Sequence, residues 1–353
     1  MMVAIAVMIG SFRDTVVYWI NQSLQADLFI GPGIRPTVGS EQTVSDNVIA
    51  KIAAHPSVAS TDRFRNIDLV YEGNLTTLGA GSYDVVVGSG GLLFKAPANA
   101  REQVLASIGQ DAIIISEPFA SRYGKTAGDV LTLQTPEGPH EFRVVAVYYD
   151  YSSDRGVAVL NWPTFRKYFG ELPPTGVAAY LKPGADPDRV RAEMLDSLDE
   201  GHRVFIFSNQ TLKREVLQVF DSTFAITYAL EVIAIAVAML GVAGTLLTLV
   251  LERRRELSLL RLTGADRRQV SRMVIIEAAM IGAVSQGIGL AVGLGLSLVL
   301  IYVINVQSFG WTIQFHLPLA FLVQASILVV LATSVAGIYP ARRAAQLVLS
   351  HDE

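Results

Sequence analysis

Cysteine is missing from all 353 residues, so the chain can form no disulfide and can offer no thiolate to a metal. Any part of it that folds in water must be held by a hydrophobic core. Histidine is almost as rare. His55, His140, His202, His316 and His351 are scattered, with no i, i+4 pair and no spacing from which metal ligands converge. Charge is scarce too, at 17% against about a quarter in soluble domains, while 51% of residues are hydrophobic. The net charge of −4 says little once the chain is divided between compartments.

What is present is long and apolar. Thr223–Leu251 contains one charge, Glu231; Met273–Ile304 contains one, Glu277; Leu317–Tyr339 contains none. About 20 apolar residues at roughly 1.5 Å each cross a hydrocarbon core of about 30 Å, so each run is long enough to span. The alternative is three buried helices of a large soluble core, and no soluble part here is large enough to wrap them. The first residues are different. Met1–Phe12 is apolar for 12 residues only, and Arg13-Asp14 follow at once. With no basic leader and no small-residue cleavage site, the segment reads as the outer part of a truncated first spanning helix, as in a fragment, rather than a signal peptide.

Orientation follows from arginine. Residues 252–272 carry seven Arg against three acidic residues, and Arg342-Arg343 follow the last run, whereas Asn305–His316 has no charged residue. The positive-inside rule puts 252–272 and the tail in the cytosol and the uncharged connector outside. Parity then puts the long polar stretch 27–215 outside as well.

That stretch predicts a mixed α and β domain. Strands are expected at Ala26–Ile30, Asp68–Tyr71, Thr76–Leu78, Ala112–Ile115, Val130–Gln134, Glu141–Tyr148, Val157–Leu160, Val177–Leu181 and Val204–Phe207. Helices are expected from Ser45 to Ala54, and over Glu117–Tyr123, Trp162–Phe169 and Asp188–Leu198. Gly79–Ala100 has no period and reads as a loop. On either side, Phe12, Val16, Trp19, Ile20 and Leu24, and then Leu212, Val216, Val219, Phe220 and Phe224, fall on single helical faces. They form either a paired stalk or two ordinary surface helices.

Few motifs carry chemistry. Gly124-Lys125-Thr126 has the end of a phosphate loop, but the glycine needed five residues earlier is Phe119, so it reads as a helix-ending turn. Glu231 and Glu277 are carboxylates in or near lipid, either on an ion path or as helix caps, with Arg268 and Arg272 as candidate partners for Glu277. Ser285, Gly289, Gly293 and Ser297 repeat every four positions, a ridge of small residues that lets helix backbones approach closely. The cytosolic arginine stretch divides in two: a helix Glu252–Leu262, a break at Thr263-Gly264-Ala265, and a second helix capped by Asp266. It is either a basic anchor on anionic lipid or a short lever lying along the membrane for a cytosolic protein.

The wording of Glu252-Arg-Arg-Arg-Glu-Leu-Ser-Leu-Leu-Arg-Leu-Thr-Gly-Ala-Asp-Arg-Arg-Gln-Val270 resembles the FtsX-like, MacB-type permease family of ABC systems. So do the exit Tyr339-Pro-Ala-Arg-Arg-Ala-Ala345 and the cadence of residues 112–161. The resemblance implies a membrane protein of four transmembrane α-helices, the first truncated, with a large α+β extracytoplasmic domain on a helical stalk. The expected divisions are 1–26 (first helix and stalk), 27–208 (outer domain), 209–251 (stalk and second helix), 252–272 (coupling helix), 273–304 (third helix), 305–316 (outer connector), 317–340 (fourth helix) and 341–353 (cytosolic tail). It implies a transport subunit of the bacterial cytoplasmic membrane and not an enzyme, with ATP and Mg²⁺ held by a cytosolic ABC ATP-binding subunit. Glu256, Leu257, Leu260, Arg261, Gly264 and Ala265 would contact that subunit. The other implied partners are membrane lipid and a second permease unit, as a homodimer or pseudo-dimer, with no nucleic acid. Lipoproteins, lipids, peptides or drugs are the substrate classes, and a membrane signalling module that regulates extracytoplasmic enzymes is the alternative. The tail after Leu347 departs from the family in lacking its proline-containing ending.

Overall fold

The computed structural model describes residues 2–32, 43–198 and 204–346. It divides into two compact units, one of Met1–Asp14, Phe220–Ile304 and Ile313–Glu353, the other of Thr15–Val219 and Asn305–Thr312. Helix α1 (Met2–Ser23) opens the chain. The apolar run counted from sequence ends at Phe12, but the helix continues through Arg13 and Asp14. From Val3 to Ser23 it is long and apolar enough, on length and composition, to cross a membrane.

The second unit is an α+β domain built on one twisted sheet. In chain order its elements are β1 (Leu28–Pro32), α2 (Asp46–Ala53), β2 (Val58–Tyr71), β3 (Asn74–Gly81), α3 (Tyr83–Gly88), β4 (Phe94–Ala96), α4 (Ala100–Ala106) and β5 (Ala112–Ser116). Then come α5 (Glu117–Tyr123), β6 (Val130–Thr135), β7 (Gly138–Tyr148), β8 (Val157–Asn161), α6 (Trp162–Phe169), β9 (Gly176–Leu181), α7 (Pro187–Ser197) and β10 (Val204–Ser208). The strands run in the order β10-β1-β9-β2-β3-β8-β5-β7-β4, with β6 added to β7. The sequence of each strand explains its place. In β5, Ala112-Ile-Ile-Ile-Ser116 is buried throughout, as a strand paired on both sides with helices over its faces must be. In β6, exposed and buried positions alternate, and it pairs with β7 alone.

Two features differ from the sequence reading. β2 begins at Val58, ten residues before the expected strand, because its first half alternates polar side chains on a half-buried face. Gly79–Ala100 is not a loop: it contains the end of β3, then α3, β4 and the start of α4. Long-range contacts hold it. Ser82 donates its backbone N–H to Asp62 Oδ1 at 2.7 Å and Tyr83 donates its own to Asn161 Oδ1 at 3.1 Å, while Tyr83, Val87, Ala100 and Val104 enter one core cluster.

The first unit is helical. α8 (Asn209–Glu252) is a single helix of 44 residues, followed by α9 (Arg254–Leu262) and α10 (Arg267–Val299). A five-residue π-helical segment, Leu300–Ile304, leads into α11 (Asn305–Phe309), which belongs to the outer unit. α12 (Leu319–Ala336) and α13 (Ile338–Gln346) complete the chain. Among the described residues, Val3–Ser23, Val232–Glu252, Arg267–Phe309 and Leu322–Arg342 are four stretches long and apolar enough to span. α10 and α12 approach so closely that an added Cβ at Gly282 would meet Thr333 Oγ1, and one at Gly337 would lie 2.7 Å from Ala278 Cβ. Within this unit Arg13 Nε donates to Asp221 Oδ1 at 3.0 Å, tying α1 to α8. Within the other, Asn209 Nδ2 donates to the carbonyls of Leu24 and Ala26, each at 2.7 Å.

Candidate functional site

The break between α9 and α10 is set by local chemistry. Gly264 sits at φ +106°, a conformation strained for any residue with a Cβ. Ala265 then donates its N–H back to Leu260 O at 3.0 Å, closing α9. Asp266 starts α10 with a capping box: its side chain accepts from the third-residue backbone, and its own N–H donates to Gln269 Oε1 at 2.8 Å. The result is a rigid corner between two helices.

The two faces of α9 differ. Leu257 and Ser258 are buried, Leu257 in a cluster with Val250, Val270, Val274 and Ala341 that braces α9 from behind. Leu259, Leu260 and Leu262 are 58%, 43% and 69% exposed, and Glu256 and Gly264 are exposed beside them. Of the residues expected to meet a partner, the geometry therefore groups Glu256, Leu260, Gly264 and half-buried Ala265 on or near one open surface. Leu257 is turned inward because it holds the helix to its own chain. The side chains of Arg261 and Glu231 lie outside those described, as do those of Phe220, Phe224 and Arg343.

Glu277 is paired with neither Arg268 nor Arg272, the candidates from sequence, but with Arg253, whose Nη1 stands 3.5 Å from Oε1. Arg253 is the single residue between α8 and α9, so its side chain can turn toward α10. The pair is half-exposed.

The ridge of small residues is used unevenly. Gly293 packs on α1, where an added Cβ would lie 2.6 Å from Val3 Cβ, and Ser297 is fully buried. Ser285 and Gly289 are exposed, and no atom lies within 4 Å of an added Cβ at Gly289.

In the outer unit Gly124-Lys125-Thr126 ends α5. Gly124 is the left-handed cap, and Asp129 Oδ2 accepts from Thr126 N at 2.7 Å and from its hydroxyl at 3.1 Å. His140 stands 3.2 Å from Asp111 and stacks on Tyr168, and His55 faces Glu193 at 3.6 Å. His202 and His351 lie outside the described residues. Among the described residues no three His, Cys, Asp or Glu side chains could hold a metal ion.

Two polar sites were not found from sequence. One is a cavity of about 230 Å³ between β2, β3, β8 and α3, onto which Asp62, Asn66, Tyr83, Tyr148 and Asp150 open. Burial pushes Asp62 from an ordinary 3.8 up to about 6, although Ser82 N–H opposes this, and burial raises Asp150 as well. The other lies at the start of α5. The Glu117 side chain, 3% exposed, accepts from Thr312 N at 3.0 Å, from the Thr312 hydroxyl at 2.6 Å and from Lys95 Nζ at 2.5 Å. Neither carries a motif, since the partners lie far apart in sequence.

Residues 228–349 match the FtsX-like permease C-terminal family, and residues 1–197 match the MacB-like periplasmic core domain. An uncharacterized ABC transporter permease of Mycobacterium tuberculosis is 29% identical over 361 residues, covering 99% of this chain and 41% of that protein. A macrolide export ATP-binding/permease protein MacB of Aeromonas hydrophila is 28% identical over 206 residues, 58% of this chain and 29% of the relative. The chain thus spans less than half the length of either. A crystal structure of the periplasmic region of MacB from Actinobacillus actinomycetemcomitans aligns with a TM-score of 0.40 at 15% identity, over 56% of this chain and 95% of that one. Two family matches that between them take in the outer domain and the spanning helices make this chain a membrane-embedded member of the FtsX-like, MacB-type permease family of ABC transporters.

Proposed function

We propose that the chain is the permease subunit of an ABC-type exporter or mechanotransmission complex in the bacterial cytoplasmic membrane. In this reading α9 is a coupling helix that rests on a separate cytosolic ATP-binding subunit. The observation that carries it is the contrast across α9. Leu257 and Ser258 turn the helix toward its own chain, while Leu259 stands open on the far side, with Leu260 and Leu262 open on the two flanks, next to a corner fixed by Gly264. Exposed leucines beside arginines, on a helix too charged to enter lipid, are suited to a protein partner. A lipid anchor would account for the arginines but not for the rigid corner.

Glu256, Leu260, Arg261, Gly264 and Ala265 then form the contact, with Leu257 holding them in place. Closure of two ATPases would move α1 and α8, and with them the outer domain, against lipoprotein, lipid, peptide or drug substrates. The ATP-binding/permease naming of the macrolide and syringafactin export relatives supports the pairing with an ATPase. A second permease unit is expected across the membrane. The outward-facing Ser285 and Gly289 offer a place where its helix backbone can come close.

Affinity purification from native membranes tests the reading. A Walker-type ATPase should co-purify with the wild-type chain, and Leu260→Asp should remove it without lowering the amount of folded permease. Recovery of extracytoplasmic hydrolases with no ATPase would instead support the signalling alternative.

A further inference from the structure

The connector between the third and fourth spans has an unexpected allegiance. Asn305–Thr312 belongs to the compact outer unit although the chain on each side of it, up to Ile304 and from Ile313, belongs to the membrane unit. Its attachment is specific. The Glu117 carboxylate is buried at the start of α5 and accepts two hydrogen bonds from Thr312, one from the backbone N–H and one from the hydroxyl. Lys95, on β4, neutralises the same carboxylate from the rim. Tyr151 donates its hydroxyl to Thr312 O at 2.8 Å and meets the Trp311 ring edge-on, with centroids 5.8 Å apart. Gly310, at φ +77°, lets the backbone pass so close that an added Cβ would lie 3.1 Å from Pro118 Cα. Asn305 Nδ2 closes the turn on Trp311 O at 2.8 Å.

An uncharged surface loop needs none of this to join two helices. A buried charge-assisted pair is costly unless its geometry is satisfied, and here two donors from one residue and a lysine satisfy it. We propose that Asn305–Thr312 is a latch by which the third and fourth spans grip the outer domain, with Glu117 as the positioning residue. It adds a link to the outer domain besides α1 and α8, and it stays closed while the domain moves. This inference rests on the coupling reading above.

The test uses the full chain with its co-purifying ATPase in lipid nanodiscs, followed by hydrogen exchange with and without a non-hydrolysable ATP analogue and Mg²⁺. In the wild-type chain the amides of 305–312 should be protected. In Glu117→Ala they should exchange at least about tenfold faster, while β5 keeps its protection and reports an intact domain. Glu117→Gln, which keeps one acceptor oxygen, should fall between. Nucleotide should change exchange in the outer domain of the wild-type complex, and Glu117→Ala should blunt that change at equal complex yield and equal basal ATP hydrolysis. A merely structural role would lower yield instead.

Fast exchange of 305–312 in the wild-type chain, or a full response in Glu117→Ala with the connector free, overturns the latch alone. A wild-type complex with no response to nucleotide overturns the latch and the coupling reading together.

Discussion

Gly293 of α10 and Val3 of α1 touch so closely that there is no room for a side chain between them. The Cβ that any other residue would add at Gly293 falls 2.6 Å from Val3 Cβ. Four residues earlier on α10, Gly289 faces open space. The two glycines look alike in sequence and should behave differently on substitution. Gly293→Leu should cost about 1–3 kcal/mol by overpacking, seen as a lower unfolding temperature of the full chain in detergent. Gly289→Leu should leave that temperature unchanged and act only on contacts with another chain. Equal effects at both positions would contradict the packing described.

The two leucines of α9 separate in the same way. Leu257 is buried in the cluster with Val250, Val270 and Val274, so Leu257→Ala should destabilise the membrane unit by about 2–4 kcal/mol. Leu260 is 43% exposed, so Leu260→Ala should change stability by less than about 0.5 kcal/mol while lowering recovery of a bound ATPase. Thermal unfolding beside quantitative co-purification reads both.

Asp62 makes the stability of the outer domain depend on pH. The folded chain keeps its proton up to about pH 6, whereas an unfolded carboxyl loses it near 3.8. Between those values the folded state binds more proton than the unfolded one. Stability from this group is therefore full below about pH 4, falls as pH rises through 6, and is flat above it. Asp62→Asn keeps an acceptor for Ser82 N–H and should abolish that slope, adding up to about 3 kcal/mol at pH 8 and nothing at pH 4. Unfolding followed at both pH values checks it, and a variant that gains equally at each would refute the assignment.

Topology is open to a direct chemical test, since the cysteine-free chain gives no background. A cysteine at Thr263, exposed at the end of α9, should resist an impermeant thiol reagent in intact cells and react once the membrane is opened. A cysteine at Thr132, exposed on β6, should react in intact cells. Ser258 is a poor probe because it is 3% exposed and would resist the reagent on either side.

Much of the secondary structure was legible because its cues are local. Ser45 and Ser116 accept from backbone N–H groups at the starts of α2 and α5, Pro118 and Pro163 sit in first turns, and Gly124 closes a helix, all readable from a few consecutive residues. The corner at Gly264 and the cap at Asp266 belong to the same class. What stayed hidden depends on partners distant in sequence. Residues 79–100 have no period of their own, and their fold rests on Asp62 and Asn161. Glu117 reads as an ordinary first-turn acid of α5 until Thr312, 195 residues away, arrives beside it. The burial of Leu257 beside exposed Leu260 is likewise decided by Ala341, far along the chain.

The π-helical segment Leu300–Ile304 sets the angular phase of all that follows it. One residue more or fewer there would turn the chain after it by about 100° around the helix axis and shift it by about 1.5 Å, putting Thr312 out of step with the Glu117 carboxylate, far back in the chain, that its N–H now meets at 3.0 Å. Single-codon insertions or deletions at the crown of the third span should therefore be rejected in the evolution of this protein.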